Sequence, residues 1–212
     1  MLTLNNLTIY WTGHSGVRIQ SPSQTIYIDP FKLQGGPKAT LILLTHEHYD
    51  HCDPESIDKI KTENTKIVGP DVIAGKIPGR QSIAPGQSLT IEGVNIEAVP
   101  AYNTNKEFHP KAGGRVGYVI EIEGKRIYHA GDTDLIEEMA SLGPIDLAFL
   151  PVSGTYVMNA EEAAQAVQKI KPKIAAPIHY GAGVAGTPAD AQKFQQLASR
   201  FCEVRILQPT QS

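Results

Sequence analysis

The sequence predicts an α/β fold in which two mixed sheets face each other and helices clad the outside, and three observations carry that expectation. The 212 residues include 19 Gly and 15 Pro without any repeat, a density that punctuates many short strands and tight turns. Alternating apolar segments dominate the first hundred residues, whereas helical periodicity is confined to a few stretches. The two halves also run through one series. Residues 27–30, 41–44, a helix ending near 61 and 66–70 are matched by 128–132, 147–150, a helix ending near 171 and 173–177. Any two β-loop-β-helix-β units share such a series, which is one reading; the other is an αβ/βα pair of facing sheets clad by helices. Under it, loops at the strand ends of both halves meet along one edge and build a shared site.

Taken in order, segment 7–11 alternates and leads through the turn Gly13-His14-Ser15-Gly16 into a second strand at 17–19. Segment 25–28 alternates and stops at Asp29-Pro30, and 40–44 is apolar on both sides, as a strand covered on both faces requires. Asp53 caps a helix with Pro54 at its first position and Ile57 and Ile60 on one face. Two hairpins follow, 88–91 with 94–97 through Glu92-Gly93, and 118–122 with 126–128 through Glu123-Gly124-Lys125. A second helix starts near Asn159, with Ala163, Ala164, Val167 and Ile170 in phase. Pro188 opens a third, carrying Ala191, Phe194, Leu197 and Ala198.

Composition narrows the function. Hydrophobic residues at 41% and charged residues at 19% fit a folded chain with a substantial core, read as one domain over 1–212. No apolar run approaches the ~20 residues of a membrane span, and the N-terminal residues lack the pattern of a signal peptide. Two cysteines, Cys52 and Cys202, make no disulfide framework, which points to a cytoplasmic protein with free thiols. A net charge of −3 with no basic run argues for a small-molecule substrate rather than nucleic acid. No interface for a homo-oligomer is visible in the pattern.

The chemistry concentrates in Thr45-His46-Glu47-His48-Tyr49-Asp50-His51, directly after the apolar strand, where three of the seven histidines fall within six positions. An extended segment would turn His46, His48 and Asp50 to one side and Glu47 to the other, with His51 swinging in as the chain enters the helix. Four metal-type side chains in six residues suit two divalent cations, His46 and His48 on one, Asp50 and His51 on the other.

This motif resembles the HxHxDH signature of the metallo-β-lactamase superfamily. Within the superfamily, Trp11-Thr12-Gly13-His14, Tyr128-His129-Ala130-Gly131-Asp132-Thr133 and Ile178-His179-Tyr180 are similar to small metal-dependent hydrolases related to L-ascorbate-6-phosphate lactonase. The resemblance implies a four-layer αβ/βα sandwich with a dinuclear site at one edge, Asp132 bridging the ions and His179 holding the second. It implies a metal-dependent hydrolase of a small ester, lactone or phosphoester, acting through a metal-bound hydroxide. Zinc leads among the ions, with Mn²⁺ and Fe²⁺ as alternatives. Asp50 and Asp132 stand as the catalytic carboxylates. Histidine at position 48 follows the hydrolytic pattern, since diiron oxygen reductases of the superfamily carry a carboxylate there. A nucleic-acid phosphodiesterase and a non-catalytic metal binder are the competing classes.

One position departs from the family. Where a third histidine for the first ion is expected, the chain has Asn103, and His109 comes six residues later. We expect His109 to reach back as the ligand, with Asn103 supporting it or touching substrate. Among the remaining residues, Asp29 is expected to buttress the metal loop through hydrogen bonds. His14 is placed at the site edge, His129 beside a ligand or in the core, and Tyr180 on a pocket wall. Lys106, Lys111 and Arg115 could recognise a phosphate or carboxylate, or be ordinary surface cations. Ser153-Gly154-Thr155-Tyr156 occupies the place in the second half that the metal loop holds in the first, and is read as shaping the pocket.

Overall fold

The computed structural model describes residues 1–210. The first half of the chain forms β1 (Leu2–Leu4), β2 (Leu7–Gly13), β3 (Gly16–Gln20), β4 (Thr25–Ile28), β5 (Leu41–Leu43), α1 (Pro54–Ile60), β6 (Lys66–Gly69) and β7 (Gln81–Ser82). The second half forms β8 (Ser88–Ile91), β9 (Val94–Pro100), β10 (Val116–Ile122), β11 (Lys125–His129), β12 (Leu147–Pro151), α2 (Ala160–Ile170), β13 (Ile174–Ile178), α3 (Pro188–Ala198) and β14 (Glu203–Val204).

Each half makes one seven-stranded sheet, and the two sheets repeat one plan. Strands β1 to β4 are joined by three antiparallel pairings and β4 to β7 by three parallel ones. Strands β8 to β11 and β11 to β14 repeat that succession. The series read from the sequence therefore maps strand for strand, β4 on β11, β5 on β12 and β6 on β13. The two halves thus build a pair of sheets on one plan.

Alternation decides which face each residue covers. In β4 and β5, Ile26, Ile28, Leu41 and Leu43 join the core between the sheets, while Tyr27, Ile42 and Leu44 join a smaller core beneath α1 with Ile57 and Ile60. Burying one such aliphatic side chain is worth about 1.5–3 kcal/mol, and this two-sided coverage is why 40–44 carries no polar face. Helices α2 and α3 pack on each other beside β12 and β13. The first has Asn159 as its cap, whose carboxamide oxygen accepts the Glu162 N–H at 2.8 Å, and it buries Ala163, Ala164, Val167 and Ile170.

The edge strands β1, β7 and β14 went unread in the sequence, being too short for any period to show. The loop 45–51 departs from the extended path as well. The His48 carbonyl accepts the N–H groups of His51 (3.1 Å) and Cys52 (2.8 Å), so the chain bends at His48 instead of running straight. No described helix is long and apolar enough to cross a membrane.

Candidate metal centre

At one edge of the sandwich the loops after β2, β5, β11 and β13 meet the loop after β9. The bend at His48 sorts the motif into two groups of donors. His46 and His48 turn toward His109 and Asp132, while Asp50 and His51 turn toward His14 and His179. In the first group His46 Nε2 lies 3.0 Å from His48 Nδ1, and His109 Nε2 lies 3.3 Å from the same atom. Asp132 Oδ2 stands 3.8 Å from His46 Nε2 and 3.5 Å from His109 Nε2. Donors on a tetrahedral zinc with bonds of about 2.0–2.1 Å sit roughly 3.3 Å apart, so this spacing fits one ion.

Asp132 also belongs to the second group. Its Oδ1 is 3.2 Å from His51 Nε2 and its Oδ2 3.2 Å from His179 Nε2. Asp50 Oδ2 lies 3.7 Å from His51 Nε2. Two of these atoms, His51 Nε2 and Asp132 Oδ1, are buried with no hydrogen-bond partner. Orphaned polar atoms of this kind are costly, and a cation between them would satisfy both.

The outer nitrogens of four histidines are held by neighbours. His46 Nδ1 meets Thr45 Oγ1 at 2.9 Å, and His51 Nδ1 meets Asp29 Oδ2 at 2.8 Å. His109 Nδ1 meets Asn103 Oδ1 at 3.0 Å, and His179 Nδ1 meets Ser153 Oγ at 2.8 Å. Thr45 donates its hydroxyl to Asp29 Oδ2, so its oxygen accepts from His46. The Thr45, Asp29 and Asn103 contacts keep the Nδ1 proton of His46, His51 and His109 and leave Nε2 to face the centre, the arrangement ligating imidazoles adopt, and the Ser153 hydroxyl, able to donate or accept, holds the His179 ring in place. The residues present therefore fit divalent metal binding.

Backbone strain supports the same edge. His14, Asp29 and His179 adopt φ of 52°, 46° and 61°, a left-handed conformation that costs a side-chain-bearing residue about 1–2 kcal/mol. The His14 carbonyl accepts both Trp11 Nε1 and the His179 N–H, each at 2.8 Å, so both halves clamp the turn. Gly131 has φ 63°, and a Cβ there would lie 2.7 Å from the Val116 carbonyl oxygen. Only glycine lets the chain pass β10 on its way to Asp132.

Electrostatics divides the imidazoles. Burial lowers His46 well below the ordinary value, brings His14 and His109 to about 4, and lowers His48 and His129 as well, so all five are neutral at pH 7. His51 runs the other way. Burial opposes its charge, but Asp132 and then Asp29 outweigh it and hold the imidazolium. Burial likewise opposes ionisation of Asp132, and His179 and His51 overcome it, leaving the carboxyl well below its usual range. Asp50 falls to about 2 because the hydrogen bond from His14 and the charge of His51 exceed its burial cost.

A prediction for metal-free protein follows. Five histidines have folded pKa values below the unfolded ~6.5, so their contribution is complete above that pH and is lost as pH falls toward 4. His51, with a raised value, contributes oppositely, its share being present below ~6.5 and lost as pH rises through its folded value. Five against one, chelated protein should melt at a lower temperature at pH 5 than at pH 7.5. Differential scanning fluorimetry checks this, and an equal or higher melting temperature at pH 5 would refute the balance.

The structure decides between several open alternatives. His129 touches no candidate ligand: its Nε2 donates to the Ser15 carbonyl at 2.8 Å and its Nδ1 accepts the Gly131 N–H, so it is a satisfied core histidine pinning the His14 turn. Tyr180 lines a cavity together with His14, but not the one formed by His48, Asp50, His109 and Asp132. The reversal at His179 turns its ring onto Trp11, with centroids 4.6 Å apart, beside a neighbouring cavity of about 280 Å³. The three cations are all engaged, Lys106 with Asp134, Lys111 with Glu138 and Arg115 with Glu47. Glu47 is thus a loop-bonding carboxylate. Asn103 holds His109 through both its N–H and its ring. Thr45 and Ser153 were not singled out as supports for ligands, since a hydroxyl beside a strand end carries no such signal by itself.

The family profile described as beta-lactamase superfamily domain matches residues 8–179. A UPF0173 metal-dependent hydrolase of Thermococcus onnurineus is 37% identical, covering 95% of this chain and 96% of its own length. A crystal structure of a Parabacteroides distasonis protein assigned as a metal-dependent hydrolase superposes with a TM-score of 0.86 at 34% identity, over 96% of this chain and 94% of that one. Igni18, a metallo hydrolase of Ignicoccus hospitalis, superposes at 0.76 with 25% identity over 96% and 95%. The extent of these matches, and the His/Asp edge they share a fold with, make the chain a member of the metallo-β-lactamase superfamily and, within it, a UPF0173 metal-dependent hydrolase.

Proposed function

We propose that the chain hydrolyses a small ester, lactone or phosphoester with two divalent cations, zinc first among them, held by His46, His48, His109 and Asp132 on one side and Asp50, His51, His179 and Asp132 on the other. The observation that carries this is the presence of Asp132 in both donor groups, Oδ2 toward His109 and His179 and Oδ1 toward His51. When bound, such ions bring a water's pKa from 15.7 to about 7 and polarise the substrate oxygen.

The chain's own groups do the rest. Neutral His46, His48 and His109 present lone pairs without a proton to expel. His14 Nε2 donates to Asp50 Oδ2 at 2.8 Å, keeping that carboxylate ionised and aimed. Asp132, once one of its oxygens is freed from the centre, would take the proton of the attacking water and pass it to the departing alkoxide. The water oxygen becomes bonded to the acyl carbon, the carbon–oxygen bond to the alcohol breaks, and acid and alcohol leave. A small-molecule substrate and a cytoplasmic setting complete the reading.

His51 supplies one test. Its imidazolium proton must leave before Nε2 can serve as a ligand, so metal uptake at pH 7 should release about one proton. Isothermal titration in two buffers of different ionisation enthalpy measures the number, and a value near zero would contradict the assignment. His109→Ala should reduce bound metal to about one ion per chain by elemental analysis; unchanged stoichiometry retires His109 as a ligand. Turnover is tested by screening esters, lactones and phosphoesters with added Zn²⁺ or Mn²⁺, with His48→Ala as the negative control. Activity surviving in that variant would remove the centre from the reaction.

A further inference from the structure

Two aromatic pairs stand across the mouth of the donor cluster. Tyr49, 63% exposed, packs edge-on against Phe31 with centroids 5.9 Å apart. Phe108, 49% exposed, packs edge-on against Tyr156 at 4.7 Å. Among the described residues only five large hydrophobic side chains are exposed, and two of them sit at this opening. Tyr49, Phe108, Tyr156 and Val184 line a cavity of about 240 Å³ whose inner wall is His48, Asp50, His109 and Asp132.

Charge reinforces the point. No lysine or arginine lines that cavity. Three nearby cations are paired, Lys106 with Asp134 at 2.5 Å, Lys111 with Glu138 at 2.9 Å and Arg115 with Glu47, while Lys32 lies over the Phe31 ring at 4.9 Å, outside that cavity, and donates to the Ala182 carbonyl. A phosphate or carboxylate remote from the reacting bond would find no cation in this lining, and beyond the donor cluster only the Tyr49 and Tyr156 hydroxyls as donors. Exposed aromatics gathered at one opening mark a surface meant to be covered, and their area rewards an apolar occupant.

We infer that the substrate is an uncharged carboxylic ester or lactone whose acyl part is an apolar chain or ring, seated between Tyr49 and the Phe108–Tyr156 pair, rather than a phosphorylated compound. This rests on the hydrolase reading above and narrows it. Phe108 and Tyr156 are binding residues in this scheme, and they discriminate by area alone.

The test uses metal-loaded protein and a series of methyl esters, acetate, butyrate, hexanoate and phenylacetate, with monomethyl succinate as the charged comparator and proton release as the signal. We expect kcat/KM to rise about four-fold per methylene up to butyrate, the transfer value for a buried CH₂. Monomethyl succinate should fall at least about ten-fold below methyl butyrate, and Phe108→Ala should flatten the series. A flat series in a protein that turns esters over, or preference for the half-ester, overturns the inference. A second arm needs no turnover. Saturation-transfer NMR on chelated protein should show contact with methyl phenylacetate that is lost in the Phe108→Ala/Tyr156→Ala double variant. If no ester is hydrolysed while a phosphoester of the screen above is, the inference is overturned and the hydrolase reading stands; if neither is turned over, that reading itself fails and the NMR arm decides alone, absence of transfer to the wild type overturning the apolar seat.

Discussion

Replacing Asp132 by asparagine is expected to lower kcat/KM by about three orders of magnitude, the scale on which removal of a group stabilising the transition state falls. The side chain is isosteric, so the loss is electronic. Asp132 faces His51 Nε2 through one oxygen and His179 and His109 through the other. An amide keeps one acceptor and turns two N–H donors toward imidazole nitrogens or cations, and it cannot bridge. It also removes the charge that contributes most to keeping His51 protonated. Elemental analysis should show fewer than two ions per chain, with circular dichroism near wild type because the sheets do not depend on this side chain. Full activity in the variant would sink the assignment of Asp132 to both ions.

Much of this centre was readable before any coordinates. The HxHxDH spacing, Asp132 after β11 and His179 after β13 all sit at strand ends, where a short segment announces both the strand and its ligand. His109 was readable only as a replacement for a missing histidine, and Asn103 turns out to be its support rather than its rival. What stayed hidden depends on contacts across long separations or on single dihedrals. His14 reaches Asp50 from 36 residues away and Ser153 reaches His179 from 26, and neither pairing leaves a periodic mark. The direction of Tyr180 is set by one left-handed residue, His179. Lys106, Lys111 and Arg115 resembled a free basic cluster because their partners Asp134, Glu138 and Glu47 are scattered along the chain. The likeness of the two halves was a weak echo in sequence and became plain only when both sheets showed three antiparallel and then three parallel pairings.

Asp29→Asn probes the layer behind the ligands and should have the second-largest effect. Asparagine tolerates the left-handed backbone that Asp29 adopts at φ 46°, so the fold has no steric reason to fail. Asp29 Oδ1 accepts the Thr45 N–H at 2.8 Å, while Oδ2 accepts the Thr45 hydroxyl at 2.6 Å and the His51 Nδ1 proton at 2.8 Å. In the variant, an amide nitrogen at the Oδ2 position becomes a donor to both neighbours. Thr45 can rotate its hydroxyl, but His51 must then accept at Nδ1 and carry its proton on Nε2, the atom meant for the cation. The variant should therefore bind its second ion about 10–100-fold more weakly, the range for loss of a group that orients a ligating histidine, and activity at limiting metal should fall in step. Excess Zn²⁺ should restore part of it, which it cannot do for Asp132→Asn. Breaking a buried charged contact by removing one partner's charge costs as much as about 3–5 kcal/mol, so chelated Asp29→Asn should also unfold at lower urea than wild type. Wild-type metal affinity in a protein destabilised to that degree would show that Asp29 serves the fold alone, with the tautomer of His51 set elsewhere.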